Sequence, residues 1–358
     1  MKRIRFLGTA ALAALLLAAC GGGGDGDQSP RVHYTAMVSF GDSLSDVGTY
    51  ATVNLKAATG GGKYTVNGPN GKNWTELLAA QLGTGAPCAA QTGLLSSGPL
   101  AGFAEAVANH TGCFGYAQGG ARVTNLIGPG NSQLIAAGDT SGYLGQMTDP
   151  VVNQINRHLT AVGGSFSGTE LVTVMAGGND VFMNAAAVGA AQQTPTQAVT
   201  AMATAGAQLA GYINALIVAN GAKHVVVVNL PDVSQTPSTY AQEATTPGTQ
   251  ALIQQMSIAF NAQLQSGLAS TPGVLIVDAY TQGHDQTAHP AQYGLTNVTV
   301  PACALSASVF SSLVCSTATL IAGDVSHYQF ADTVHPTPYG YQLLAQFVAK
   351  RMVEAGWL

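Results

Sequence analysis

Val225-Val226-Val227-Val228, entered through Lys223-His224 and closed by Asn229-Leu230-Pro231, is the run that most limits what this chain can fold into. Four β-branched residues in succession disfavour helix and leave no polar face for water, so the segment reads as a strand covered on both sides. Val274-Leu275-Ile276-Val277, inside the strand expected over 273–278, has the same character. Met37–Phe40 and Glu170–Met175 supply two more strands. Between and after them lie stretches with helical character: Asn73–Leu82, where Trp74 and Leu77-Leu78 make an apolar face, then Pro150–Val162, the Ala-rich Thr194–Asn220, Gly248–Ser270 and a closing helix over Pro338–Ala355, stopped by Gly356. Strands alternating with helices predict the α/β class, a parallel sheet with helices on both faces in three layers. Ligands of such sheets sit at the carboxyl ends of the strands.

The N-terminus is of a different kind. Lys2, Arg3 and Arg5 precede the apolar stretch Phe6–Ala19, which is too short to span a bilayer and reads as an export signal. It ends in Leu17-Ala18-Ala19-Cys20, which resembles the bacterial lipobox, so lipidation of Cys20 is expected; an ordinary signal peptide is the alternative. Gly21–Gly24 then begins a flexible, Gly-rich linker over residues 20–33. From residue 34 to 358 no second linker, repeat or composition break is visible, and one domain is expected. No later segment reads as a transmembrane span. The formal net charge of −5 gives no basic surface for a nucleic acid.

Besides Cys20 the chain has Cys88, Cys113, Cys303 and Cys315. An even number in an exported chain predicts disulfides. Three pairings are possible, and Cys88–Cys113 with Cys303–Cys315, which closes two local loops, is the one expected. The spacings do not fit a zinc site. Residues 85–115, rich in Gly, Ser and Cys, read as an excursion stapled by the first bridge.

The chemistry-bearing residues start at Gly41-Asp42-Ser43-Leu44-Ser45-Asp46, directly after the first strand. A serine at that edge is a nucleophile only if a base, an orienting acid and oxyanion donors lie elsewhere. Asp332-Thr333-Val334-His335-Pro336 offers the base, His335, with a carboxylate three residues before it. Asp324-Val325-Ser326-His327 repeats the spacing, but His335-Pro336 stands just before the closing helix, where a loop reaches the sheet edge. Asn179, after the strand and turn Met175-Ala176-Gly177-Gly178, can aim its amide at a developing oxyanion. Gly119-Gly120 lets main chain approach a substrate closely. Taken singly these are also a helix cap and a plain turn. Asp42 reads as shaping its own turn, Asp180 as structural at a helix start, and Asp278 as a strand-end residue that could line the site. His284 and His289 read as part of a polar loop, not as metal ligands. The Tyr and Phe residues of 310–345 read as core packing before acyl pocket.

Together, the four blocks resemble the GDSL, or SGNH, hydrolase family over roughly residues 36–355. The resemblance implies Ser43 as nucleophile, Gly120 as main-chain oxyanion donor, Asn179 as side-chain donor, and Asp332 and His335 as acid and base. It implies a flavodoxin-like α/β/α sandwich with about five parallel strands, and hydrolysis of carboxylic esters through an acyl-enzyme, of the esterase/lipase or lysophospholipase-like kind within a phospholipase/lecithinase-like group, with no cofactor and no metal. Thr49 and Gly115 stand where the family often has Asn. Carbohydrate O-acetyl esterase, lipid acyltransferase and a non-enzymatic binding lipoprotein are the alternatives. The expected partners are a small-molecule or lipid ester and, through the anchor, a membrane; the expected location is exported, at the bacterial outer membrane, periplasmic or secreted. No β-barrel segment follows the hydrolase region in this sequence, so the autotransporter form of the family is not expected.

Overall fold

A computed structural model describes residues 32–358. The signal segment, Cys20 and nearly all of the linker lie outside the described residues. The elements run β1 Met37–Gly41, α1 Val53–Thr59, α2 Trp74–Leu82, β2 Gln91–Leu94, β3 Glu105–Asn109, α3 Val151–Ala161, β4 Leu171–Met175, α4 Gly178–Gly189, α5 Pro195–Tyr212, β5 His224–Val228, α6 Pro237–Thr245, α7 Thr249–Leu268, β6 Val274–Val277, α8 Ala279–Ala288 and α9 Pro338–Glu354.

β1, β4, β5 and β6 form a four-stranded sheet in that order, parallel throughout, with Met37 opposite Leu171, Val172 opposite Val225 and Val226 opposite Leu275. The period of two sorts side chains between two cores. Val38, Phe40, Val172, Val174, Val225 and Val227 enter the core that also holds residues of α3, α4, α5 and α7. Met37, Leu171, Met175, Val226 and Val228 enter the other, with Trp74 and Leu78 of α2 and Tyr341 and Val348 of α9. The unbroken valine run is therefore two interleaved half-runs, one for each covered face.

The sheet has four strands instead of about five. Residues 114–116 lie where a fifth would lie, beside β1: Ser39 N–H donates to Phe114 O at 3.0 Å and Tyr116 N–H to Ser39 O at 2.8 Å. On its other side the segment is tied to 88–90, with Gly115 N–H donating to Cys88 O and Ala90 N–H to Gly115 O. The pairing is a single bridge, Ser39 with Gly115, directly after Cys113 of the first disulfide.

Both expected disulfides are formed, Cys88–Cys113 and Cys303–Cys315. The 85–115 excursion contains an antiparallel pair, β2 with β3, which its composition did not suggest. The segment holding His284 is helix α8, not a polar loop; Asp278 caps it by accepting Thr281 N–H. The long Ala-rich helix continues past α5 as a π-helical turn over Ile213–Val218. Pro195–Val218 is long and apolar enough to cross a membrane, but Ala198, Met202 and Leu209 are buried in the same core as Ile253, Met256 and Phe260 of α7.

Candidate active site

Ser43 follows β1 in a tight turn at the carboxyl edge of the sheet. Asp42 shapes the turn as expected: its Oδ1 accepts Leu44 N–H at 3.0 Å and its carbonyl accepts Ser45 N–H at 3.1 Å. The N-terminus of α2 grips the far side of the turn. Trp74 Nε1 donates to Ser45 Oγ at 3.2 Å, and Asn73 Nδ2 to Asp46 O at 3.0 Å, while Asn73 and Glu76 complete a capping box.

Asp332 and His335 occupy a short loop whose ends are pinned together. Ala331 N–H donates to His335 O at 2.7 Å, Thr337 N–H donates to Gln329 O at 3.0 Å, and Thr337 caps α9. His335 Nε2 lies 2.9 Å from Ser43 Oγ, and His335 Nδ1 lies 2.8 Å from Asp332 Oδ2. A carboxylate has no proton to donate, so Nδ1 carries the hydrogen and Nε2 is left to accept from the serine hydroxyl. Asp332 also accepts the N–H groups of Ser312 at 2.7 Å, Val334 at 2.9 Å and His335 at 2.7 Å. Burial alone would raise this carboxyl; the His335 imidazole and these donors outweigh it and hold the group well below the usual carboxylate range. Tyr64 covers the imidazole, its ring centroid 4.7 Å from that of His335.

Gly120 and Asn179 reach the same place from two other connections. Asn179, in the first turn of α4, is held by donation of one amide hydrogen to Ala121 O at 2.8 Å; the other hydrogen remains for a ligand. Gly120 sits at φ +79° with Pro129 O and Gln146 packed where a Cβ would go, so only glycine fits. Among the described residues, the main-chain N–H groups of Ser43 and Gly120 have no acceptor. Ser43, Gly120, Asn179 and His335 line one cleft.

Asp46 and Ser312 escaped the sequence reading. Asp46 is buried and joins the first block to the second: Oδ1 accepts Gly48 and Thr49 N–H, and Oδ2 accepts Gly119 N–H at 3.0 Å, which sets the turn that presents Gly120. Burial pushes its carboxyl up to about 6 against the pull of those donors. Its place in the first block was a signal, but its acceptor role depends on a glycine 73 residues away. Ser312 had no signal, since its contribution is a main-chain N–H.

The remaining candidates lie elsewhere or act structurally. Asp324 is turned to Ser326 N–H, and His327 packs edge-on against Tyr339. Asp180 pairs with Arg122 at 2.9 Å and accepts Val123 N–H. Asp278 bonds Asn229 and Thr281. His284 faces the Asp232 carboxylate, and His289 faces Asp285. No group of three or more His, Cys, Asp or Glu residues among the described residues could hold a metal ion. Of the late aromatics, Phe310 and Phe330 line hollows beside Ser43, whereas Tyr341 is core.

A serine, an imidazole and a carboxylate in this order can move the serine proton to His335, and three converging donors can hold an oxyanion. An uncharacterized protein of Pseudomonas putida, from the trpE-trpG intergenic region, is 27% identical over 330 residues, 90% of this chain and 49% of its own length. A GDSL esterase/lipase of Arabidopsis thaliana is 32% identical over 79 residues, 22% of each chain. The chain thus spans about half the length of the first of these relatives and less of the second. The structure of a carbohydrate acetylesterase from Sinorhizobium meliloti overlaps 89% of this chain and 99% of its own at 16% identity, with a TM-score of 0.39 that is too low to bear on fold or function. The sequence profile of the family described as GDSL-like lipase/acylhydrolase matches residues 37–348, the sheet and every block named above, and the chain belongs to that family.

Proposed function

We propose that the protein hydrolyses carboxylic esters through an acyl-enzyme on Ser43. One observation carries the reading: the relay from Ser43 Oγ through His335 to Asp332, with contacts of 2.9 and 2.8 Å, opens onto a cleft that also receives Gly120 and Asn179. Ser43 Oγ attacks the ester carbonyl as His335 Nε2 takes its proton. Asp332 keeps the proton on Nδ1 and stabilises the imidazolium. The N–H groups of Ser43 and Gly120 and the Asn179 amide receive the oxyanion. As the carbon–oxygen bond to the alcohol breaks, His335 returns the proton to the leaving oxygen. Water then repeats the sequence and frees the acid and Ser43. Side chains and main chain supply every group in this scheme, which calls for no metal and no cofactor.

The two disulfides fit an oxidising compartment. Anchorage through Cys20 belongs to the same reading, and mass spectrometry of the mature N-terminus tests it. The function is tested by release of p-nitrophenol from p-nitrophenyl butyrate by wild type and Ser43→Ala. Activity should fall by roughly 10⁴-fold or more with the fold intact; equal activity in the variant would overturn the mechanism.

A further inference from the structure

Ser43 stands where two hollows meet, a smaller one that is mostly apolar and a wider one of mixed, more polar lining. One is a cavity of about 140 Å³ walled mainly by apolar groups such as Leu44, Met175, Phe182, Leu230 and Leu344, with Asp42 and Asp232 also in its lining. The other is a cleft of about 620 Å³ whose lining mixes Asp139, Thr140, Ser141 and Gln146 with Tyr64, Leu100 and Phe310. Ser43, Asn179, Phe182 and Val334 border both, while Gly120 and His335 border the cleft alone.

That division orients an ester. When the tetrahedral intermediate collapses, the alcohol oxygen takes the proton from His335 Nε2, so it must lie on the side of His335. The oxyanion points to Gly120 and Asn179. The remaining substituent of the tetrahedral carbon, the acyl chain, is left facing the apolar cavity. We infer that the cavity takes an acyl chain of about four to eight carbons and that the cleft takes a neutral, polyhydroxylated alcohol. The assignment rests on the ester-hydrolase reading and sharpens its substrate.

The length follows from volume. An apolar cavity of roughly 150 Å³ holds one benzene molecule, about six carbons. With the carbonyl carbon at Ser43, a hexanoyl tail nearly fills the space. The character of the alcohol follows from charge. The cleft offers hydroxyls and an amide to a sugar or glycerol, and its carboxylate is Asp139; no Lys or Arg among the described residues lines it. A phosphate there would meet a like charge and no cation.

The test is kcat/KM on p-nitrophenyl esters from acetyl to palmitoyl, together with 1-butyrylglycerol and 1-butyrylglycerol 3-phosphate. We expect a rise of up to about fourfold per methylene, a maximum between butyryl and octanoyl, and at least a tenfold preference for the uncharged glycerol ester. Ala279 lines the cavity on α8 and Leu344 on α9. Ala279→Phe should lower the hexanoyl-to-acetyl ratio at least tenfold, and Leu344→Ala should move the maximum to longer chains. A thermal melt accompanies each variant, and the wild-type profile decides the matter if either fails to fold. Labelling of Ser43 by a fluorophosphonate in the same preparation separates the two failures. No Ser43-dependent labelling or hydrolysis sinks the hydrolase reading and this assignment with it. A labelled, active protein with a maximum at acetyl or at dodecanoyl and beyond, or with equal use of the phosphorylated ester, overturns the assignment alone.

Discussion

His335 Nε2 approaches Ser43 Oγ to 2.9 Å although 292 residues of chain separate them. Two unrelated local devices make the meeting possible. Asp42 and the N-terminus of α2 fix the serine turn, and the Ala331–His335 hydrogen bond with the Thr337 cap fixes the histidine loop. Each half is held by its own local hydrogen bonds, so the placement of Ser43 and His335 does not rest on their mutual contact alone.

Replacing Asp332 by Asn tests the orienting carboxylate. The amide can offer Nδ2 hydrogens to the imidazole and so favours the tautomer with Nδ1 unprotonated. On the proposed mechanism kcat falls by about 10⁴-fold, with a near-native circular dichroism spectrum. Steady-state kinetics on p-nitrophenyl butyrate measure it, and a loss under tenfold would argue against this role.

On the proposed mechanism, Asn179→Ala removes one of three donors to the oxyanion. A loss of about 10²- to 10³-fold in kcat is expected, with KM nearly unchanged, because the donor acts on charge that develops in the transition state. An effect confined to KM would place Asn179 in ground-state binding instead.

Asp46→Asn separates positioning from contact. The amide replaces one accepting oxygen with a donor, so either Gly119 N–H or the Gly48 and Thr49 pair loses its acceptor. An orphaned buried donor costs about 1–3 kcal/mol, and the Gly120 turn loosens. The expected result is a lower melting temperature and a kcat reduced tenfold or more at similar KM. A purely structural role would lower the melting temperature and leave kcat as it is.

The buried carboxylates give stability opposite slopes in pH. Burial raises Asp42 from 3.8 to about 7, so its favourable contribution is complete below about pH 4 and disappears as pH rises through 7. Asp332 is depressed, so its contribution is present above about pH 4 and is lost as pH falls. Asp42→Asn should cancel the first slope: the melting temperature of wild type minus that of the variant should decline between pH 4 and 7.5. A difference that stays constant over that interval would show that Asp42 keeps its ordinary carboxylate titration.

Much of this was legible because it is written in short spans. Valine runs mark strands covered on both faces, and the serine turn, the Asn179 connection and the Asp332–His335 loop each fit within a few residues. What escaped needs partners far along the chain. Gly115 stands where the family often has Asn. A Cβ there would come within 2.7 Å of Val47 Cγ2 and 2.8 Å of Cys88 O, so crowding between the serine block and the first disulfide leaves room only for glycine. Thr49 gives its N–H to Asp46 and its hydroxyl to Ala117 O at 3.1 Å, stitching the first block to the second. Helix α8 was missed because its polar residues carry little apolar periodicity; its order comes from the Asp278 cap and from contact with the chain after β5.

The Cys303–Cys315 bridge has a consequence outside stability. Cys303 N–H donates to Ala331 O beside one end of the histidine loop, and Ser312, inside the covalent ring, gives its N–H to Asp332. Reduction of the bond would open that ring and leave the Ser312 donor on a longer, less constrained stretch of chain. After oxidation it is delivered to the carboxylate by a closed circuit. The bond therefore ties one of the three N–H donors of Asp332 into a closed covalent ring, so that the same cross-link that staples the loop also limits how far that donor can stray from the carboxylate.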